Sequence, residues 1–149
     1  MKILYTAFKG KNNTSYQVAS CLNGVVLLLT NSFHGLERDI NTAVENYDIV
    51  YMLGVDKSLK NKIKIETCAE YNGERIFTTF NITELEKRIA DKLSYSISDC
   101  PTKYLCNAAF YHMLKKNKNT VFIHIPSTSG MNNCLKEAII ELLNKTSKD

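Results

Sequence analysis

The chain has 149 residues, 44% of them hydrophobic and 23% charged, the balance of a globular protein and not of a disordered one. Its net charge of +4, from 19 Lys+Arg against 15 Asp+Glu, is too small and too dispersed for a dedicated nucleic-acid binder. Two prolines and six glycines leave no room for a long linker, no internal repeat is found, and one domain over residues 1–149 is expected.

Ile3–Phe8, within the opening MKILYTAFKG, is a β-branched and aromatic run that reads as a strand. That segment has neither the apolar length nor the small-residue cleavage site of a secretory leader, so the cytoplasm is the expected compartment. A helix, Ser15–Leu22, follows the polar entry Asn12-Asn13-Thr14, and the next strand is Val25–Thr30. Its apolar part, Val25–Leu29, is far too short to cross a bilayer, and no membrane partner is expected. Then come a helix over Leu36–Asn46 after Gly35 and a strand over Ile49–Leu53.

The stretch Lys57–Lys64 is the most basic of the chain, and Lys60, Lys62 and Lys64 alternate as residues on one side of a strand do. A solvated face explains it better than a nucleic-acid groove. Ile63–Cys68 reads as a strand, Thr83–Lys92 as a helix with Thr83 and Glu86 in a capping box, and Leu93–Ile97 as a strand. Leu105–Lys116, Val121–Ile125 and Asn133–Asn144 complete the series as helix, strand and helix. The runs at 25–30, 49–53 and 121–125 are nearly continuous in apolar residues, as strands covered by helices on both faces are. Strands alternating with helices predict an α/β fold, a three-layer α/β/α sandwich around a mostly parallel central sheet.

In such sheets reactive groups collect at the carboxyl ends of strands and at the helix starts that follow. Two segments fit, SISDCPTKYLCNAAFYHML and NTVFIHIPSTSG. Cys106 falls near the start of its helix if Thr102 is the N-cap. There the free amide groups and the helix dipole favour a thiolate and lower the thiol pKa. Equally, a lone cysteine is a small residue that packs a helix on a sheet. His124 closes an apolar strand just before Pro126, placed at the sheet's edge to serve as a base for a thiol or simply to bond a backbone carbonyl. His34 and His112 sit in helical contexts and are less well placed. Glu66 lies between Ile65 and Thr67 and shares a face with Lys62 and Lys64, which makes exposed pairing with those lysines its plain reading. The five cysteines, Cys21, Cys68, Cys100, Cys106 and Cys134, are odd in number and form no CxxC pair, against a disulfide framework or a structural zinc site.

The segment from Ser96 to Pro126 resembles the pyroglutamyl peptidase I family, the pyrrolidone-carboxylate peptidases. Tyr104-Leu105-Cys106-Asn107 is similar to the family's nucleophile stretch, Phe110-Tyr111 to the aromatic pair one turn later, and Phe122-Ile123-His124-Ile125-Pro126 to its histidine strand. More weakly, Lys2–Phe8 resembles the first strand and Asn13-Thr14-Ser15 an Asn-Pro-Ser motif. Leu29–His34 resembles a Leu-Pro-Val/Thr-x-Phe segment, Tyr51–Val55 the strand that leads to the site, and Ile65-Glu66-Thr67-Cys68 the pattern around the catalytic glutamate.

The resemblance implies a cysteine-type omega peptidase that removes an N-terminal pyroglutamyl (5-oxoproline) residue from peptides. Cys106, His124 and Glu66 would be its triad and a thioester its intermediate, with no cofactor and no metal. Phe8, Tyr104 and Leu105 would line the lactam slot and the main chain near Val55 would bond the lactam. A peptide with N-terminal pyroglutamate would be the substrate, with nucleic acid and membrane excluded and a homo-oligomer left open.

The chain departs from the family at three places. Lys9-Gly10-Lys11 stands in place of the second pocket Phe and its turn, and Pro101-Thr102 in place of a small-residue/Gly pair. Only Glu70 to Asn81 spans the family's long excursion. These departures define the alternative, a non-catalytic or altered-substrate relative that binds a small ligand or partner in the remnant pocket.

Overall fold

The computed structural model describes residues 1–43, 46–102 and 104–146. Strands β1 (Ile3–Phe8), β2 (Val25–Leu29), β3 (Ile49–Val55), β4 (Lys62–Glu66), β7 (Ser94–Ser98) and β8 (Thr120–Ile125) form a six-stranded sheet in the order β2-β1-β3-β8-β4-β7. All neighbouring pairs are parallel except β4 with β8, which is antiparallel. The expected mostly parallel α/β/α sandwich is what the chain forms.

Alternation along the strands divides the sheet into two unlike faces. One carries Ile3 and Tyr5, Tyr51 and Leu53, Ile63 and Ile65, and Val121, Ile123 and Ile125. Helices α1 (Thr14–Ala19), α3 (Ile82–Ile89) and α5 (Asn133–Thr146) cover it through Val18, Leu85, Ile89, Ile139 and Leu143. Each such side chain taken fully out of water contributes roughly 1.5–3 kcal/mol. The other face carries Leu4, Phe8, Val50, Met52 and Phe122, and it packs against α2 (Phe33–Asn41) and α4 (Leu105–Lys116).

A two-stranded antiparallel hairpin, β5 (Cys68–Tyr71) and β6 (Glu74–Phe77), leans on α4 from outside the main sheet. Its turn, Asn72-Gly73, has φ of 52° and 79°, the left-handed pair that a two-residue hairpin requires. Asn107 on α4 clips the hairpin down, accepting from the Glu70 N–H at 3.0 Å and donating to the Glu70 carbonyl at 2.6 Å. The expected strand over Ile63–Cys68 is thus two elements. Thr67 bonds the Ser98 carbonyl with its N–H and marks where the chain leaves the sheet.

Several local expectations are corrected. Asn81, not Thr83, caps α3 by accepting from the Glu84 N–H, because an Asn side chain reaches the N3 amide well. Ser32 caps α2 through the Gly35 N–H, so that helix begins before Leu36. Residues 44 and 45 of its expected end lie outside the described residues. β2 is an edge strand with Val25 exposed, so its apolar run is only half covered. Among the described residues no helix is long and apolar enough to cross a membrane.

Candidate active site

His124 is the penultimate residue of β8, an interior strand, not one at the sheet's edge. Its register partners are Gly54 on β3 and Lys64 on β4, while Glu66 sits opposite Phe122. Residues two apart share a face, so Lys64, Glu66, Gly54 and His124 all project from the side that α4 covers. His124 Nδ1 lies 3.2 Å from Glu66 Oε1, with the histidine 7% and the glutamate 5% exposed. A hydrogen on Nδ1 donated to that carboxylate leaves Nε2 as the free, basic nitrogen. Glu66 Oε2 is buried without a hydrogen-bond partner.

Cys106 enters from above, in the first turn of α4. Its sulfur lies over Gly54, where a side chain would collide: a Cβ there would meet Cys106 Sγ at 2.7 Å and Phe122 Cζ at 2.6 Å. Only a residue without Cβ lets helix and sheet close to this distance. Tyr104, not Thr102, is the N-cap, and it makes no side-chain bond to the helix. Tyr104 therefore offers the amide groups of that first turn no capping oxygen from its side chain.

The expected fall in the thiol pKa is not found. Burial, followed by the nearby carboxylates of Asp56 and Glu66, pushes the Cys106 thiol up to about 12, against an opposing hydrogen bond from the Val55 main chain. The helix-start argument fails because the thiol is enclosed, and desolvation penalises a thiolate more than the dipole favours it. Burial and the two carboxylates together favour the neutral thiol at Cys106.

Glu66, Cys106 and His124 line one small cavity of about 10 Å³, with Cys68, Phe110 and Phe122 as its less polar wall. That is room for about one water. Pro101, Thr102 and Asn107 belong both to this cavity and to a larger open cleft of about 560 Å³, whose walls also include Phe33, Glu70 and Tyr71. The expected slot residues are not brought together there. Phe8 is buried in the core and Leu105 packs beside that core, while Tyr104 is 76% exposed. Val55 stays close to the thiol through its main chain.

The lysine face of β4 is not simply solvated. Lys64 Nζ bonds Asp56 Oδ2 at 2.8 Å and lies 3.8 Å from Glu66 Oε1, so it bridges two acids. Asp56, just past β3, also accepts from the N–H and hydroxyl of Ser58 through Oδ1. Burial works against the charge on Asp56, but the Lys64 and Ser58 hydrogen bonds outweigh it and hold its carboxyl well below the usual range. Lys64 is likewise disfavoured by burial and raised on balance by Asp56 and Glu66. Asp56 and Gly54 escaped the sequence reading. The signal for Gly54 was a glycine inside the apolar run IVYMLGV, whereas nothing local marks Asp56. Among the described residues no cluster of three or more His, Cys, Asp or Glu could hold a metal ion.

By sequence the chain matches no protein-family model and no curated protein. Its fold, by contrast, is that of the pyroglutamyl peptidases. The pyrrolidone carboxyl peptidase from Thermococcus litoralis superposes with a TM-score of 0.80 at 21% identity, over 99% of this chain and 91% of that one. Pyroglutamyl peptidase I from Bacillus amyloliquefaciens gives 0.81 at 17% identity, over 99% of this chain and 97% of that one. The Thermus thermophilus pyrrolidone carboxyl peptidase gives 0.77 at 16%, over 96% and 98%. Likeness at these identities is likeness of fold.

Proposed function

We propose that the chain is a cysteine peptidase that removes an N-terminal pyroglutamyl residue from peptides. The observation that carries this reading is the convergence of Glu66, His124 and Cys106 on one cavity in a fold shared with pyrrolidone carboxyl peptidases. Glu66 holds Nδ1 of His124, and Nε2 takes the proton from Cys106. Because the thiol is neutral at rest, proton transfer accompanies the attack of sulfur on the pyroglutamyl carbonyl. Amide groups of the first turn of α4 supply hydrogen bonds to the oxyanion. His124 then protonates the departing amine, leaving a thioester that water cleaves. Glu66 stabilises the imidazolium formed in both halves of the cycle.

A lactam ring does not fit a cavity that holds about one water. The substrate therefore approaches along the adjoining cleft, past Pro101 and Thr102, and those two residues must give way to admit the scissile carbonyl. Phe33 and Tyr71 supply apolar surface on that route.

Release of a fluorescent amine from a pyroglutamyl amide tests the reading. Turnover by the wild type that Cys106→Ser and His124→Ala abolish is the expected result. A folded wild type that does not turn the amide over rejects the pyroglutamyl assignment and leaves an altered-substrate or ligand-binding relative.

A further inference from the structure

Lys64 has no place in the three-residue machinery just described, yet it faces His124 directly across the β4–β8 ladder. Its ammonium touches Asp56 at 2.8 Å and approaches Glu66 Oε1 at 3.8 Å, the same oxygen that holds His124. Asp56, Lys64 and Glu66 thus form a row of alternating charge that ends on the histidine. Both ends of the row matter to the nucleophile, because Asp56 and Glu66 are the two carboxylates whose fields act on Cys106.

A thiolate formed beside two bare carboxylates is opposed by both of them. An ammonium bridging the pair cancels much of that repulsion, and it does so in a half-buried position where charge interactions are screened less than at the surface. It also fixes the rotamer of Glu66, whose second oxygen has no bond of its own.

We propose that Lys64, anchored by Asp56, is a positioning residue that orients Glu66 toward His124 and balances the negative charge beside Cys106, so that the thiol can be deprotonated. The inference rests on the reading of Cys106 as the nucleophile. Among the described residues, the other titratable groups that line the thiol's cavity are His124 on β8 and Cys68 on β5. Asp99, before α4, acts on Cys68 and not on Cys106.

The test reads the thiol without any substrate. Alkylation of Cys106 by iodoacetamide is followed against pH by mass spectrometry of the Cys106 peptide, so that the exposed Cys21, Cys100 and Cys134 do not interfere. Lys64→Met leaves the two carboxylates unbalanced, and the rate–pH curve moves to higher pH by about half a unit, roughly threefold slower at a fixed pH. Asp56→Asn removes one of the opposing charges, and the curve moves to lower pH by a similar amount. Lys64→Arg keeps the wild-type curve. Opposite displacements of the first two variants support the proposal.

Curves that coincide, or that move in the same direction, overturn it, since loosened packing alone speeds alkylation in both. Should Lys64→Met fail to fold, Asp56→Asn and Lys64→Arg decide: an unmoved Asp56→Asn curve or a displaced Lys64→Arg curve overturns the proposal. Pyroglutamyl amide turnover is measured on the same samples. Alkylation curves displaced as expected in a protein without turnover reject the peptidase reading and keep the charge row. Turnover with unmoved curves does the reverse.

Discussion

The two faces of the central sheet are built from the same strands and do opposite work. On β8, Val121, Ile123 and Ile125 point into an aliphatic layer under α1, α3 and α5, while Phe122 and His124, one residue away, point toward α4. On β4, Ile63 and Ile65 belong to the first layer, and Lys64 and Glu66 to the second. Among the described residues the buried side chains of the first face are uncharged, and they stabilise the fold. The second gathers a histidine, acids, a lysine and a thiol in a partly enclosed space, which costs stability. Adjacent residues along one strand should therefore respond to mutation in qualitatively different ways.

The largest expected effect is on the α4 face. Cys106→Ser and His124→Ala should each lower pyroglutamyl amide turnover by at least about a thousandfold, with thermal melts close to wild type. A collapse of the melting temperature along with activity would erase the distinction between the faces. On the opposite face, Ile123→Ala should cost about 3 kcal/mol in urea unfolding. Its kcat per folded molecule should stay within a few-fold of wild type. A hundredfold loss of kcat there would show that the two layers are not independent.

Gly54→Ala sharpens the comparison where helix meets sheet. The added methyl must displace Cys106 or Phe122, and a ten- to hundredfold fall in activity with a loss of about 1–2 kcal/mol is expected. Unchanged activity would mean that the placement of the sulfur is not critical. Glu66→Gln keeps the shape and removes the charge that stabilises an imidazolium, and should cost about tenfold to thirtyfold in kcat/KM.

The smallest effect is a linkage. A thiol whose folded pKa is raised stays protonated when the unfolded chain has already ionised, so its contribution is fully present below about pH 9 and fades as pH rises toward 12. The stability of wild type relative to Cys106→Ser should therefore fall by about 1 kcal/mol per pH unit between pH 9.5 and 10.5. A flat difference would show that the thiol is not desolvated.

Much of this was legible in the sequence, and the exceptions share a cause. β1 and α4 fall at the boundaries that their patterns predict. The hairpin carries its own local mark, Asn72-Gly73 between Tyr71 and Glu74, although the expected strand over Ile63–Cys68 runs into it. What local pattern does not contain is what lies on top of a strand. Alternation places Lys62, Lys64 and Glu66 on one side. Whether that side is solvated depends on α4, which comes forty residues later, and Glu66 becomes a buried partner of His124 only once β8 lies beside β4. The thiol is a second instance. A helix start favours a thiolate, and burial over Gly54 in a cavity also lined by Phe122 and Cys68 reverses the sign. Phe8 and Tyr104 show the same limit, one drawn into the core and the other left in solvent.

The insertion of β8 between β3 and β4 has a consequence for biosynthesis. β3 and β4 follow each other in sequence with only residues 56–61 between them, yet they are not neighbours in the sheet. A chain emerging from the ribosome delivers the carboxylate first, the thiol some forty residues later and the imidazole last. Until that final strand threads between its two hosts, Glu66 and Cys106 have no base to share, and the sheet is in two unjoined parts. Closing such a long-range pairing is entropically slow. The reactive centre is thus complete only once the last strand is in place, and a chain broken before β8 carries a cysteine that nothing has armed.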